Sequence, residues 1–179
     1  YCIMSAFLRF ALISFIVSFL FVRLIDAPGY TDAFYHYNAA ARLANGDGLT
    51  EPYLWTYVGA PESLPESGIF PSHLYWMPFT SIAAGISMRV FGITYAAAQI
   101  PLWLMFWLMT LIGWGVGWRI GGTRRHAWIA GFLTLFSGFF TRYWGATDTF
   151  AAYALAGSAC LALLGLLSDF KMPRLALAA

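Results

Sequence analysis

The sequence predicts an all-α membrane protein with about four transmembrane helices and a large first loop outside the membrane. Hydrophobic residues fill 60% of the 179 positions and charged residues only 10%, which is not the composition of a soluble domain with a charged shell. Several uncharged runs approach the roughly 20 residues that cross a bilayer. Six of the eight carboxylates lie together between residues 26 and 73, so this region is predicted to lie in water.

Four apolar segments are the predicted spans. The first covers residues 3–25, and the others cover residues 97–118, 127–143 and 149–168. Between the first two, residues 26–73 hold five prolines as well as the six carboxylates, a composition that cannot cross hydrocarbon. The sequence therefore predicts an outer loop over residues 26–96.

Two helices are expected within this outer loop. The first, near residues 32–45, has an apolar side, an N-terminal cap from Thr31 or Asp32, and a glycine-rich end. We expect it to lie along the membrane surface. The second, near residues 74–92, is uncharged over a stretch that is short for a span and contains Pro78. It is interpreted as a dipping or interfacial helix.

Charge bias sets the predicted orientation. If the second loop helix does not cross, six cations share one side and seven of the eight carboxylates face the other, as the positive-inside rule favours. The six cations are Arg9, Arg119, Arg124, Arg125, Lys171 and Arg174. Both ends of the chain are then cytoplasmic, in a plasma or inner membrane.

Other features exclude some functions and leave the chemistry to the loop. The net charge of +2 is too small to indicate nucleic acid. Cys2 and Cys160 lie apart, without metal-ligand spacing. Gly113, Gly117 and Gly121 recur every four residues and predict close helix packing. We also expect the chain to be part of a longer protein, since it starts without methionine.

Asp32 and Asp148 are the candidate catalytic residues. Each is predicted to lie on the outer face at the end of a span. Asp32 could remove a proton from an acceptor hydroxyl, or it could cap the loop helix, and these roles are compatible. Asp148 could share a metal ion with Asp32 or flank an acceptor. Its alternative role is a helix cap at Thr149, paired with Arg142.

The candidate substrate-binding residues surround these carboxylates in the predicted topology. His36 follows Asp32 by four residues, so both project from one helical face with Tyr35 beside them. Cationic side chains suit the phosphate of a lipid, although arginines at interfaces also anchor helices. The candidates are Tyr35, His36, Arg42, His73 and Arg142.

These motifs resemble a known family in their order along the chain. A Tyr-His helix at residues 32–37 is followed by Asn-Gly-Asp-Gly at 45–48 and Pro-Ser-His-Leu-Tyr-Trp-Met-Pro at 71–78. An arginine-rich turn at 119–125 and a Thr-Asp at 147–148 complete the series. The chain resembles the N-terminal part of an integral-membrane glycosyltransferase of the GT-C superfamily, closest to the protein mannosyltransferase and lipid A aminoarabinose transferase group.

The resemblance implies an inverting transfer of a sugar from a polyprenyl-phosphate donor to an acceptor at the outer face. By this resemblance Asp32 is the catalytic base or a metal-associated residue, and Asp148 is the second carboxylate. A divalent metal ion is an implied cofactor, and membrane lipid an implied partner. We expect these residues alone to be inactive, because the family completes its donor site with later spans. The alternative is a non-catalytic accessory or scaffold subunit of a larger membrane complex.

The predicted topology can be tested by thiol labelling in intact cells. In a background with Cys2→Ser and Cys160→Ser, the variant Asp47→Cys should react with an impermeant thiol reagent added outside, because the first loop is predicted to be external. The variant Thr123→Cys should be protected. Labelling at position 123 would mean that the segment near residues 74–92 crosses the membrane.

Overall fold

The computed structural model describes residues 2–52 and 69–167, and this part of the chain is mainly helical, as predicted. The described residues do not include Lys171, Arg174, the end of the fourth predicted span at residue 168, or residues 53–68 of the predicted outer loop. The helices are α1 (Cys2–Arg23), α2 (Thr31–Asn45), α3 (Phe79–Phe91), α4 (Tyr95–Gly121), α5 (Arg124–Leu135) and α6 (Phe150–Leu167). A 3-10 helix covers Gly138–Tyr143.

A short antiparallel sheet closes the outer loop and was not predicted from the sequence. Strand β1 (Thr50–Glu51) pairs with β2 (Phe70–Pro71), with Thr50 opposite Pro71. The sheet brings the chain back beside α2, so that residues 72–78 can pass over this helix on their way to α3.

Two helices are long and apolar enough to cross a membrane, judged by length and composition. They are Ile3–Arg23 within α1 and Tyr95–Gly121, which is α4. The third predicted span is not one continuous helix: α5 ends at Leu135, and the 3-10 helix follows. Gly138 adopts a positive φ of 63°, which is incompatible with an α-helix. The fourth span is a shorter apolar helix, so the number of spans stays a prediction.

Helix α2 is confirmed, but the prediction of its cap is wrong. Tyr30 occupies the N-cap position in an extended conformation, and no side chain caps the helix there. Neither Thr31 nor Asp32 takes that role, because both already lie inside the helix. The C-terminal end is as predicted: Gly46 is left-handed with a φ of 96°, and its N–H bonds to a carbonyl of the last turn.

Helix α3 is shorter than the predicted segment near residues 74–92. Pro78 stands at its N-cap position and Gly92 at its C-cap, which fits the preference of proline for helix starts and of glycine for helix ends. Gly85 lies against α2, where an added Cβ would be 3.0 Å from the carbonyl oxygen of Ala40. The two outer-loop helices therefore pack closely.

Helix α4 is the centre of the packing. Its residues belong to all three buried clusters: Leu102 and Phe106 with α1 and α6, Ala97 and Ala98 with α2 and α3, and Trp114 with α1 and α5. Because these clusters follow one another along α4, this helix holds the outer-loop helices and the apolar helices in one arrangement.

The predicted glycine contact is confirmed between α4 and α5. A Cβ added at Gly117 would lie 2.5 Å from Cβ of Ala130 and 2.6 Å from the carbonyl oxygen of His126. Gly113 and Gly121 face Thr134 and His126 in the same way. Small residues of this kind let two helix backbones approach closely.

Gly117→Ala should therefore destabilise the protein, while Gly115→Ala should not. A methyl group at position 117 overlaps with α5 and should cost about 1–3 kcal/mol, whereas nothing lies within 4 Å of the corresponding position at Gly115. Thermal unfolding in detergent measures both variants. Equal melting temperatures for the two would contradict the close contact.

Candidate functional site

The candidate site is built around a turn, residues 145–149, that precedes α6. The side chain of Gln99 in α4 is buried, and its Nε2 donates to the carbonyl oxygens of Val22 at 3.1 Å, Ile25 at 2.9 Å and Gly145 at 3.1 Å. Gly145 can approach the end of α1 closely because it has no side chain: an added Cβ would lie 3.0 Å from the side chain of Val22. Gln99 thus joins the end of α1 to the turn.

Two threonines fix the same turn to the outer-loop helices. The hydroxyl of Thr147 donates to the carbonyl oxygen of Ala33 in α2 at 2.7 Å. The hydroxyl of Thr80 in α3 donates to the carbonyl oxygen of Asp148 at 3.3 Å. Asp148 consequently lies between the first turns of α2 and α3.

The carboxylate of Asp148 is buried and hydrogen-bonded on both oxygens. The hydroxyl of Tyr30 donates to Oδ2 at 2.7 Å, and Oδ1 accepts the backbone N–H and, at 3.2 Å, the hydroxyl of Thr149. Only 5% of Asp148 is exposed. The bond to the N–H of Thr149 resembles the predicted cap, but Arg142 does not contribute to it.

Arg142 lies over aromatic rings instead. Its guanidinium carbon is 5.5 Å from the ring centre of Phe139 and 5.3 Å from that of Tyr143. The Tyr143 ring in turn lies 5.8 Å from the Tyr30 ring. The Tyr143 ring therefore lies between Arg142 and Tyr30, and Arg142 does not form an ion pair with Asp148.

Asp32 and Asp148 influence the same two side chains. Burial raises the pKa of Tyr30 well above its ordinary value, and the hydrogen bond to Asp148 and the negative charges of both carboxylates raise it further. Both carboxylates also oppose the effect of burial on His36. Both predicted catalytic residues thus act electrostatically on Tyr30 and His36. Asp32 is half-buried, in contrast to Asp148.

Behind Asp32, two histidines share the hydroxyl of Ser81. The Ser81 hydroxyl donates to the carbonyl oxygen of His36 at 3.1 Å, so its oxygen can only accept from the rings. The ring atoms are Nδ1 of His36 and Nε2 of His73, each 2.9 Å from Ser81 Oγ. Both must carry hydrogen. The other nitrogen of His73, Nδ1, lies 2.7 Å from the hydroxyl of Ser72 and accepts a hydrogen bond from it when the ring is neutral.

Burial favours the neutral form of both histidines. Burial lowers the pKa of His73 to about 4, with a smaller effect from the neighbouring His36, and burial also lowers the pKa of His36. His36 has no exposed surface, and its Nε2 has no hydrogen-bond partner among the described residues. In this arrangement His36 and His73 connect α2 to the start of α3.

Tyr35 belongs to the same layer of side chains. Its hydroxyl accepts the backbone N–H of His73, and its ring centre lies 5.2 Å from that of His73 and 4.7 Å from that of Trp76. Burial raises the pKa of Tyr35 to about 12. Tyr35, His36 and His73, three of the predicted substrate-binding residues, thus lie together and support residues 72–78 from inside.

Arg42 is placed away from the carboxylates. It lies ten residues after Asp32 on α2, or roughly 15 Å along the helix axis. There its Nε donates to the hydroxyl of Thr50 at 2.8 Å, and its guanidinium forms an ion pair with Asp47 at 3.8 Å. Of the two predicted arginines, the structure brings only Arg142 to the site.

The carboxylates do not form a metal site with the described residues. Across residues 2–52 and 69–167, no three His, Cys, Asp or Glu side chains are grouped so that they could hold a metal ion. The hydrogen bonds of Asp148 are made with protein donors. The divalent metal implied by the resemblance therefore stays a prediction.

An apolar groove opens beside the site. It has a volume of about 730 Å³ and lies between α3, α4 and α6. Apart from the hydroxyls of Thr80, Thr149 and Tyr153, its lining is apolar. Its other lining residues are Met77, Pro78, Phe79, Ile82, Met105, Ala152, Leu155, Ala156 and Ala159. Thr80 and Thr149 both bond to Asp148, so the groove reaches the candidate site.

Sequence reasoning missed Tyr30 and Ser81. The motif around Asp148 contained a signal, because threonines on both sides of an aspartate are typical of a hydrogen-bonded turn. No comparable pattern marks Tyr30 or Ser81, whose partners lie far away in the sequence.

No protein-family model, curated protein or solved structure matches the chain. The resemblance to GT-C glycosyltransferases therefore stays a prediction from the short motifs.

The neutral histidine pair predicts a stability that decreases in acid. The pKa of His73 is about 4 in the folded chain and about 6.5 when unfolded, so unfolding takes up a proton between these values. The melting temperature should therefore fall as the pH falls from about 6.5 to about 4. His73→Asn should reduce this fall by at least about 3 °C, since asparagine tolerates the positive φ of 63° at this position.

His126→Asn is the matched control for this measurement. His126 is an exposed histidine at the start of α5, and its replacement should leave the pH dependence of the melting temperature unchanged. An identical acid profile for wild type and His73→Asn would contradict the assignment of a neutral buried pair.

Proposed function

We propose that this chain is the N-terminal part of a membrane glycosyltransferase that transfers a sugar from a polyprenyl-phosphate donor to an acceptor at the outer membrane face. The observation that carries the proposal is the position of Asp148, which accepts hydrogen bonds from two threonines that line an apolar groove. A donor of this class is apolar along its chain and polar at its head, and the groove with its adjoining site offers the same division.

Exposed apolar side chains support a location in a membrane. Along α1, Leu8, Leu12, Ile16 and Leu20 are each at least half exposed, with fractions between 50% and 62%. Soluble monomers rarely expose apolar surface continuously, whereas lipid is a suitable environment for it. The two helices long enough to cross a bilayer agree with this location.

Asp32 is proposed as the general base. Among the described residues its carboxylate has no hydrogen-bond or ion-pair partner, and it is half-buried beside Tyr30. In the transfer, the acceptor oxygen bonds to the anomeric carbon as its proton passes to Asp32. The bond from that carbon to the phosphate oxygen breaks, and polyprenyl phosphate leaves with the electron pair. A base in this position can accept the proton without first losing an ionic partner.

Arg142 is proposed to stabilise the departing phosphate. Arg142 is exposed, and its guanidinium lies over Phe139 and over Tyr143, whose ring packs against that of Tyr30. Stacking on aromatic rings orients an arginine without using its N–H donors. These donors are then available for the phosphate oxygens, on which negative charge increases as the bond to the sugar breaks.

Asp32→Asn tests the role of the base. Because Asp32 caps nothing, the variant should accumulate like wild type, while sugar transfer by the full-length protein should fall by about 10²–10⁴-fold, the usual contribution of a positioned general base. Transfer is measured with a radiolabelled polyprenyl-phosphate sugar in membranes.

Asp47→Asn is the control, because it removes a carboxylate from the other end of the same helix and should keep full activity. Undiminished transfer by Asp32→Asn would reject its assigned role. A wild-type protein that transfers no sugar and co-purifies with other membrane subunits would favour the accessory-subunit alternative.

A further inference from the structure

We infer that Tyr30 contacts the lipid-linked sugar directly, by accepting a hydrogen bond from one of its hydroxyls, and that Asp148 acts through Tyr30 as a positioning residue. The inference rests on the proposed function and deepens it. It assigns to Asp148 a role other than contact with the reacting atoms, and it adds a ligand-binding residue that the sequence motifs did not indicate.

The surroundings of Asp148 leave it poorly placed to contact a ligand. Its side chain is buried, and both carboxylate oxygens already accept hydrogen bonds, from Tyr30 on one side and Thr149 on the other. A ligand would have to displace one of these donors from a buried carboxylate, which is costly. Asp148 is therefore suited to hold Tyr30 in position.

Tyr30, unlike Asp148, is placed to contact a ligand. Its ring is half-buried and packs edge-on against the ring of Tyr143. Its single hydroxyl hydrogen is committed to Oδ2 of Asp148 at 2.7 Å, so the free lone pairs of its oxygen can only accept. A phenol oriented in this way selects a ligand that presents a hydroxyl donor.

The groove determines which ligand reaches Tyr30. Thr149 lines the groove and also donates to the carboxylate that holds Tyr30. The head of a molecule whose chain fills the groove would consequently lie beside Tyr30. A sugar at this position carries several hydroxyls, and one of them can donate to the phenol oxygen.

The test compares Tyr30→Phe with Tyr75→Phe in the full-length protein. Both variants lose a hydroxyl, but Tyr75 is 79% exposed and lies outside the site. Tyr30→Phe should raise the KM for the polyprenyl-phosphate sugar by roughly 3–10-fold, the effect of one lost hydrogen bond, with little change in kcat. Tyr75→Phe should behave as wild type. Equal KM values for the two variants would overturn the inference.

A double mutant separates positioning from direct contact. If Asp148 acts through Tyr30, Asp148→Asn should raise the donor KM in the wild type and add nothing in the Tyr30→Phe background. If Asp148 contacts the ligand itself, the two effects should multiply, and the inference would be wrong. Thermal unfolding of each variant monitors folding separately from KM.

Monodeoxy donors identify the sugar hydroxyl and do not require the Tyr30 variant to fold. The donor that lacks the contacting hydroxyl should have a raised KM with the wild-type protein. Asp148→Asn should not raise the KM of this donor further. If Asp148→Asn raised the KM of every deoxy donor, the contact between Tyr30 and a sugar hydroxyl would be refuted. If the wild-type protein transfers no sugar at all, both the proposed function and this inference are refuted. If the wild type is active but Tyr30→Phe leaves the donor KM unchanged, only the inference is refuted.

Discussion

The arrangement of α2, α3 and the end of α1 depends on the hydrogen bonds of the buried turn at residues 145–149. Gln99, Thr147 and Thr80 connect this turn to the end of α1, to α2 and to α3. Each of these bonds satisfies a backbone carbonyl that is removed from water, and an unsatisfied carbonyl there would cost free energy. The turn cannot be moved without breaking several of them at once. The position of Asp148 relative to Tyr30 and Asp32 is a consequence of this constraint.

Much of the fold could be predicted because it follows from local sequence. The apolar runs of α1 and α4 and the glycine at the end of α2 are visible without tertiary information. The break after α5 was not, because a phenylalanine-rich run has the same hydrophobicity in an α-helix and in a 3-10 helix. The sheet was also missed, since each strand has only two residues and its pairing is non-local.

The candidate site was predictable only in part. Asp32 and Asp148 could be selected because both were expected at the ends of spans, and Asp148 also because carboxylates are rare outside the first loop. The expected cap at Asp32 was wrong because Tyr30 takes the N-cap position, while its hydroxyl bonds to Asp148. The role of Ser81 depends on the meeting of α2, α3 and the 72–78 segment. Hydrogen bonds between a hydroxyl group and residues far away in the sequence leave no periodic pattern from which they could be predicted.

The glycine contact between α4 and α5 has a consequence for the order in which the molecule assembles. These helices are neighbours in the chain, so their contact closes a short loop at little entropic cost. The Tyr30–Asp148 hydrogen bond, by contrast, joins residues 118 positions apart. We therefore expect the α4–α5 hairpin to form early and the carboxylate site to form last. During synthesis, the Tyr30–Asp148 contact would be absent until the chain has passed Asp148, even if the earlier helices have already packed.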